Sequence, residues 1–204
     1  MSSPNLDLFS RTSPALATPP GFEYGAGFID AAEEQALITE IQALDLAPYE
    51  FRGVEARRRV IAFGYQHDYR TRRLQESAQI PPFLDRLRSK VAGFAGMPAE
   101  NFEQVLVSEY TPGTPIGWHR DREHYDRVVG VSLLSDATLR FRREVEGQWV
   151  RQSQRLESRS VYQLTGPARH LWQHSIPPVA ALRYSVTFRT MRAHPAIESR
   201  LGSL

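Results

Sequence analysis

From about residue 102 onward, the chain consists of short apolar runs separated by Gly, Pro and Asp, and this pattern constrains the fold more than any other feature. The runs are rich in Val, Leu, Tyr and Phe, which favour strands over helices. They cover residues 104–110, 128–134, 138–142, 149–152, 160–164 and 183–191. Many short strands in succession are typical of a β-barrel or β-sandwich.

Two helices are predicted before this strand-rich part. Asp30 and Glu33 have the spacing of a capping box, and a helical apolar stripe follows them, which predicts a helix over about residues 31–44. A second helix is predicted after Pro81-Pro82, with Phe83, Leu84, Leu87, Val91 and Phe94 on one face. Helices followed by strands predict an α+β fold in which the helices pack outside a jelly-roll core, a double-stranded β-helix.

Length and composition indicate one globular domain. The chain has 204 residues, of which 41% are hydrophobic and 24% charged. Residues 1–20 are rich in Ser, Thr, Pro and Ala without apolar periodicity, so we expect a flexible arm followed by a single domain over residues 21–204.

The absence of cysteine excludes disulfides, thiolate-bound zinc and cysteine nucleophiles. The N-terminus does not have the pattern of a signal peptide, and no stretch is apolar enough to span a bilayer. We therefore expect a cytoplasmic protein that has no membrane partner.

Charge is unevenly distributed although the formal net charge is only +2. Residues 30–50 are acidic, whereas residues 52–90 are basic. A basic segment of this kind suits a phosphate backbone. The alternative, a solvated surface without a partner, remains open on charge alone.

A candidate metal site begins with His119 and Asp121. On a strand, residues two apart lie on the same face, and an imidazole with a carboxylate suits a divalent metal such as Fe(II). A third ligand is not fixed by spacing, since His124, His170 and His174 all follow. The prolines at 167, 177 and 178 argue against a helix that would place His170 and His174 together, as in a zinc protease.

The run from residue 183 to residue 189 alternates between polar and apolar side chains. Arg183, Ser185, Thr187 and Arg189 fall on one face. On a surface strand that face would meet water. In a barrel interior, two guanidinium groups would need an anion, and a dicarboxylate would satisfy both.

Several of these motifs, in order, resemble the AlkB family of Fe(II)- and 2-oxoglutarate-dependent dioxygenases. The resemblance extends from about Phe22 to Arg192. The matching elements are Glu109-Tyr110-Thr111-Pro112-Gly113, His119-Arg120-Asp121, Val131-Ser132-Leu133, His174-Ser175-Ile176-Pro177-Pro178, and the spacing of Arg183 and Arg189.

The resemblance implies a role for each site residue. His119, Asp121 and His174 would bind Fe(II). Arg183 and Tyr110 would hold the distal carboxylate of 2-oxoglutarate, and Arg189 would lie near the carboxylate that chelates the metal. Ser108 and Ser185 stand where the family usually has asparagine, so their hydroxyls are expected to tune the co-substrate contacts.

The resemblance also implies a substrate class. The family uses O2 and 2-oxoglutarate to oxidise N-methyl groups on bases, releasing formaldehyde and succinate, as in repair of alkylated DNA. Residues 51–69 occupy the place of a nucleotide-recognition lid. Candidate substrate contacts are Arg57, Arg58 and Arg59 for phosphates, Tyr65 and Trp118 for base stacking, and Glu123 for a base edge.

Alternatives remain for the substrate and for catalysis itself. The same chemistry on modified RNA, on protein or on a small molecule fits the motifs, and a jelly roll that binds metal without turnover is a third hypothesis. DNA is not distinguished from RNA. We expect a monomer without an obligate protein partner.

Overall fold

The computed structural model describes residues 18–51, 54–68 and 73–192. The helices are α1 (Ala31–Gln42), α2 (Asp85–Ala95) and the short α3 (Gly166–His170). The strands of the first half are β1 (Phe22–Gly25), β2 (Ala47–Phe51), β3 (Val54–Phe63), β4 (Tyr65–Asp68) and β5 (Arg73–Glu76). The later strands are β6 (Phe102–Tyr110), β7 (Ile116–His119), β8 (Tyr125–Leu133), β9 (Ala137–Val145), β10 (Gln148–Leu156), β11 (Ser160–Leu164), β12 (Gln173–Ile176) and β13 (Arg183–Met191).

Most of the described strands form two antiparallel sheets. The larger sheet has the order β1-β11-β8-β13-β6-β3-β2, and the smaller has the order β10-β9-β12-β7. Strands β4 and β5 form a separate hairpin. Apart from the consecutive pairs β2–β3 and β9–β10, neighbours in each sheet are distant in sequence, so the register between them depends on long-range pairing.

The helices α1 and α2 cover one face of the larger sheet. The capping box forms, because Asp30 Oδ1 accepts the backbone N–H of Glu33 at 2.8 Å and Glu33 Oε2 accepts that of Asp30 at 3.2 Å. Apolar side chains from both helices pack against Val105, Val107 and Phe188 of the sheet in one core cluster. That burial stabilises the helices more than their intrinsic propensity does.

A second core cluster fills the space between the two sheets. It joins Leu139 and Phe141 of the smaller sheet to Val128, Tyr162 and Leu164 of the larger one. Two facing sheets with helices outside one of them are the α+β double-stranded β-helix, so the predicted fold class is confirmed.

The prediction that the part of the chain before residue 102 contributes helices and no strands is wrong. Strands β1, β2 and β3 lie before residue 102 and belong to the larger sheet. The segment 54–63, within the proposed lid, is β3 and pairs with β6 over residues 59–63. Pro167 lies in the first turn of α3, where no backbone donor is lost, so it does not prevent that short helix. However, α3 ends at His170 and His174 lies on β12, so the two histidines do not share a helix, as predicted.

The acidic and basic segments partly neutralise one another. Glu33 on α1 forms ion pairs with Arg86 at 2.8 Å and with Lys90 at 2.6 Å. Glu34 accepts from Arg159 at 3.1 Å and from the Ser158 hydroxyl. Because Arg86 and Lys90 are paired with Glu33, they add less positive charge to the surface than the basic composition of residues 52–90 suggests.

Within the described ranges, the model contains no helix of the length and apolarity that a membrane span requires. Residues 1–17 of the predicted arm, Tyr69 of the predicted lid, and His194 lie outside the described residues.

Candidate metal centre

Three candidate ligands converge where the smaller sheet meets the chain after β7. His119 ends β7, and His174 on β12 is its direct partner in the antiparallel register. The candidate ligand atoms of His119, Asp121 and His174 all lie within 4.8 Å of one another. Asp121 lies beyond the end of the strand, so the expected placement of both residues on one strand is wrong, although the turn still brings the carboxylate to the histidines.

The orientation of the imidazoles suits metal binding. The Nδ1 atom of His119 lies 2.9 Å from the carbonyl oxygen of Gly117, which orients the ring and leaves Nε2 for a metal. His174 is buried, its Nδ1 has no hydrogen-bond partner among the described residues, and its ring centre is 4.3 Å from that of His119.

The protonation states of these three side chains at neutral pH also favour binding of a metal cation. Burial, together with the neighbouring His119, lowers the pKa of His174 to about 3. Burial likewise lowers the pKa of His119. Burial would raise the pKa of Asp121, but Arg189 and the two histidines outweigh it and hold that pKa well below its ordinary value. Two neutral imidazoles and one carboxylate are the forms that bind a divalent metal, so the site fits Fe(II).

A buried arginine lies in the same cavity. Arg183 is only 1% exposed, and its Nε donates to the Ser132 hydroxyl at 3.2 Å. Its Nη1 has no hydrogen-bond partner among the described residues. Because a buried guanidinium without a counter-ion is costly, this one is prepared for an anionic ligand.

The Tyr110 hydroxyl lies beside this guanidinium. The Arg183 carbon is 4.8 Å from the Tyr110 ring centre, and the phenolic oxygen is 3.3 Å from the Ser185 hydroxyl. Ser108 and Ser185 are buried and directly opposed on β6 and β13. Burial raises the pKa of Tyr110, but Arg58 and Arg183 outweigh it, and the result is a pKa of about 8.

Arg189 connects the anion pocket to the metal ligands. Its Nη2 lies 3.4 Å from Asp121 Oδ1, and its Nη1 donates to Gln104 Oε1 at 2.8 Å. The metal triad, Tyr110, both serines, Thr187 and both arginines line one cavity. The structure thus brings together every residue that was expected to bind the metal or the co-substrate.

Three residues of the site had no role assigned from the sequence: Ser132, Gln104 and Tyr162. Ser132 and Gln104 accept from the two arginines. Tyr162 lines the cavity, and its burial raises its pKa to about 12. The alternation of β8 and β11 identifies their faces, but only the register across the sheet shows which side chains meet.

Of the three consecutive arginines, Arg58 alone lines the cavity. Its guanidinium carbon lies 4.3 Å from the centre of the Tyr49 ring. Arg59 points to the other face of β3, where it forms an ion pair with Glu109 at 3.2 Å and donates to the Leu46 carbonyl. Arg57 is exposed. The structure therefore places one of the three arginines at the cavity, and contacts of Arg57 and Arg59 with phosphates stay predictions.

The other candidate substrate residues do not line the cavity. Tyr65 is half-buried on β4, and Glu123, two residues after Asp121, is exposed. Trp118 packs against Arg142 and Arg140, with its ring centre 4.5 Å and 5.1 Å from their guanidinium carbons. Trp118 alternates with His119 along β7, so it lies on the outer face of the sheet and not over the metal site.

Comparison with known proteins agrees with this geometry. The family model for the 2OG-Fe(II) oxygenase superfamily matches residues 23–192. An Arabidopsis thaliana protein, "Alkylated DNA repair protein ALKBH8 homolog", is 26% identical over 212 residues, covering 86% of this chain and 60% of that protein. The Mus musculus "tRNA (carboxymethyluridine(34)-5-O)-methyltransferase ALKBH8" is 28% identical over 168 residues, covering 79% of this chain and 25% of that protein.

Solved structures share the fold at low identity. The structure of OsALKBH1 matches with a TM-score of 0.66 and 17% identity, covering 85% of this chain and 98% of that one. A Pseudomonas putida prolyl-4-hydroxylase matches with a TM-score of 0.59 and 16% identity, covering 85% of this chain and 94% of that one.

The fold and the site together define a non-haem dioxygenase that uses Fe(II), 2-oxoglutarate and O2. The chain belongs to the 2OG-Fe(II) oxygenase superfamily, and its resemblance to the AlkB family is confirmed. The chain spans less than two thirds of the length of the curated relatives described above. Family membership favours catalysis over the hypothesis of a jelly roll that binds metal without turnover.

Proposed function

We propose that this Fe(II)- and 2-oxoglutarate-dependent dioxygenase oxidatively demethylates N-alkylated bases in nucleic acid. The observation that carries the catalytic part is the buried Arg183 with an unpartnered Nη1 in the same cavity as the metal triad. A metal site alone has no need of that charge, whereas an anionic co-substrate does.

In this proposal, His119, Asp121 and His174 hold the iron and leave coordination positions open for the co-substrate and O2. Asp121 supplies the negative charge of the ligand set, and Arg189 keeps it ionised. When bound, the iron and the co-substrate supply the oxidising chemistry, in which one oxygen atom of O2 enters succinate as 2-oxoglutarate loses carbon dioxide and the other converts a substrate C–H bond to C–OH.

The other cavity residues orient 2-oxoglutarate. Arg183 pairs with its distal carboxylate, and the Tyr110 hydroxyl donates a hydrogen bond to the same group. Arg189 lies next to a metal ligand, which suits the carboxylate at the chelating end. Ser108 and Ser185 hold the phenol between β6 and β13, so their role is to position Tyr110.

The substrate class is supported by two observations. The curated relatives are named for alkylated DNA repair and for tRNA modification. In addition, Arg58 lines the cavity and has no carboxylate partner among the described residues, so it can meet a phosphate or another anionic substrate group. Hydroxylation of an N-methyl group gives an unstable hydroxymethyl amine, which releases formaldehyde and leaves the demethylated base.

The proposal is tested by a formaldehyde-release screen with iron and 2-oxoglutarate. The substrates are single- and double-stranded oligonucleotides that carry 1-methyladenine or 3-methylcytosine, with methylated RNA of the same sequence. Mass spectrometry follows loss of the methyl group, and Asp121→Ala is the inactive control. Formaldehyde from none of these substrates, while the enzyme still decarboxylates 2-oxoglutarate, would overturn the proposal.

A second candidate is hydroxylation of an RNA base that keeps the added oxygen; the name of the mouse relative, which refers to tRNA, supports RNA as the substrate. The same mass spectra separate the two outcomes, because the hydroxylated base gains the mass of one oxygen atom and releases no formaldehyde. A methyl-lysine peptide and free methylated nucleosides, tested in parallel, cover the protein and small-molecule alternatives.

A further inference from the structure

The outer face of the smaller sheet carries arginines stacked on tryptophans. The guanidinium carbon of Arg142 lies 4.5 Å from the centre of the Trp118 ring and 4.5 Å from that of the Trp149 ring. Arg140 lies over Trp118 at 5.1 Å. Trp149 is 41% exposed, which is unusual for so large an apolar side chain.

Strand register extends this face across the sheet. Arg151 on β10 is directly opposite Arg142 on β9, so both side chains lie on the same face. Gln173 on β12 is opposite Arg142 on the other side. We call Trp118, Arg140, Arg142, Trp149 and Arg151 the Trp–Arg strip.

The positive charges of the strip are held in place by neutral groups. Arg140 Nε donates to the Ser175 hydroxyl at 3.1 Å, and Arg142 Nε donates to Gln173 Oε1 at 2.7 Å. Within the described part of the chain, none of the strip arginines has a carboxylate partner. By contrast, Arg155 further along β10 is paired with Asp136. The strip arginines are therefore oriented by neutral groups. Glu144, directly opposite Trp149, is a carboxylate on the same face, but it forms no ion pair with them within the described residues.

The strip adjoins the metal centre through the edge of the sheet. Strand β7 is the edge strand, and it carries Trp118 on its outer face and His119 on its inner face. A polymer bound on the strip would reach Asp121, which follows β7, by crossing this single strand. The face and the reaction centre are thus two sides of the same short element.

We propose that the Trp–Arg strip binds a single-stranded stretch of nucleic acid that flanks the base undergoing oxidation. This inference rests on the proposed function for its choice of polyanion. Charge complementarity requires an anion, and the exposed indole of Trp149 adds a flat surface on which a base can stack. An acidic peptide would use the charges but gain little from the indole.

The test measures binding of an unmodified, labelled oligothymidylate of about 16 nucleotides to the iron-loaded protein by fluorescence anisotropy. Trp149→Ala should weaken binding roughly tenfold, and Trp149→Phe should restore most of it, because a phenyl ring still stacks. Arg142→Gln should reduce the slope of log affinity against log salt by about 0.7. Arg86→Gln, which removes an equal charge from an existing ion pair on α2, should change neither quantity.

Two further ligands identify what is recognised. An abasic oligomer should bind the unaltered protein no better than oligothymidylate binds Trp149→Ala. Polyglutamate of similar length should compete poorly. Equal competition by polyglutamate, or equal effects of Arg142→Gln and Arg86→Gln, would overturn the strip as a nucleic-acid site. Because the oligomer carries no alkylated base, its binding is independent of the formaldehyde screen, and either proposal can fail without the other.

Discussion

The Arg189 guanidinium lies 3.4 Å from the Asp121 carboxylate, and both side chains are about nine-tenths buried. A candidate metal ligand is therefore paired with a candidate co-substrate anchor. Neither charge is easily removed, because a buried ion that loses its partner keeps its desolvation cost. Removing Asp121 should affect stability as well as iron binding.

Asp121→Ala should abolish iron binding and turnover and should lower the free energy of unfolding of the metal-free protein by about 3 kcal/mol. The loss follows because Arg189 would keep the neutral Gln104 and the Tyr125 ring as neighbours but would have no carboxylate partner among the described residues. Iron content, 2-oxoglutarate decarboxylation and urea unfolding measure the three effects. Asp126→Ala, which removes an exposed carboxylate beside His170, is the matched control and should change stability by less than about 1 kcal/mol. Retained turnover in Asp121→Ala would refute the triad.

Arg183→Met should weaken co-substrate binding without lowering the stability of the protein. The 2-oxoglutarate requirement should rise at least about tenfold, since a charge-assisted bidentate pair is lost. The metal-free protein should become no less stable, because Arg183 has no carboxylate partner among the described residues and its burial is costly. Titration of decarboxylation against 2-oxoglutarate, together with thermal unfolding, checks both signs. An unchanged 2-oxoglutarate requirement would remove Arg183 from the co-substrate site.

Tyr110 should report on anion binding through its own titration. Burial raises its pKa, but Arg58 and Arg183 outweigh burial and bring the pKa to about 8 from an ordinary value of 10. Ultraviolet absorbance should show a phenolate forming near that pH in the protein without co-substrate. Adding 2-oxoglutarate or succinate should raise this pKa, because the dicarboxylate neutralises Arg183. Tyr110→Phe should remove the transition, and a transition that persists would assign it to another tyrosine.

His174 should make the metal-free protein sensitive to acid. Its pKa is about 3 in the folded protein and 6.5 when unperturbed, so between these values the unfolded chain binds a proton that the folded chain does not. The free energy of unfolding should therefore fall by up to about 1.4 kcal/mol for each pH unit below 6.5. His174→Asn should show a slope shallower by about one proton in urea unfolding between pH 6.5 and 4. An unaltered slope would contradict the burial of a neutral imidazole.

Local patterns were sufficient for α1, α2 and most strands after residue 102, but β12, which carries His174, was not predicted. Alternation over residues 183–189 and the capping box at Asp30 depend on neighbours in sequence, and both are present in the structure. Strand β3 was not predicted, because its run of arginines reads as a solvated segment. It is a strand through pairing with β6, some fifty residues away, where Arg59 lies opposite Glu109.

The site shows the same limit. Motif spacing identified the metal ligands and the residues expected to bind the co-substrate, because these residues are close in sequence or share a strand. Ser132, Gln104 and Tyr162 come from other strands, and only register places them against Arg183, Arg189 and the cavity. Trp118 was misplaced for a related reason, since alternation gives two faces but not which of them is inside.

Gly130 is a position where one added carbon should disturb the cavity. It lies on β8 opposite Tyr162 of β11, and a Cβ there would be 2.4 Å from the Tyr162 ring carbon Cζ. Gly130→Ala should therefore displace the ring, lower stability by about 1–3 kcal/mol and reduce turnover, because Tyr162 lines the cavity.

Three further variants identify the cause: Gly93→Ala, Tyr162→Leu, and Tyr162→Leu combined with Gly130→Ala. Gly93→Ala in α2 is the matched control, since its Cβ would meet nothing within 4 Å and should raise stability by about 0.5–1 kcal/mol. Tyr162→Leu combined with Gly130→Ala should be less destabilised than the sum of the two single changes, because the leucine removes the clashing ring atoms. Urea unfolding of the unaltered protein, Gly130→Ala, Tyr162→Leu and the double variant gives the coupling free energy between the two positions. Additive effects would mean that the Tyr162 ring does not lie over Gly130 and that the cavity wall is built differently.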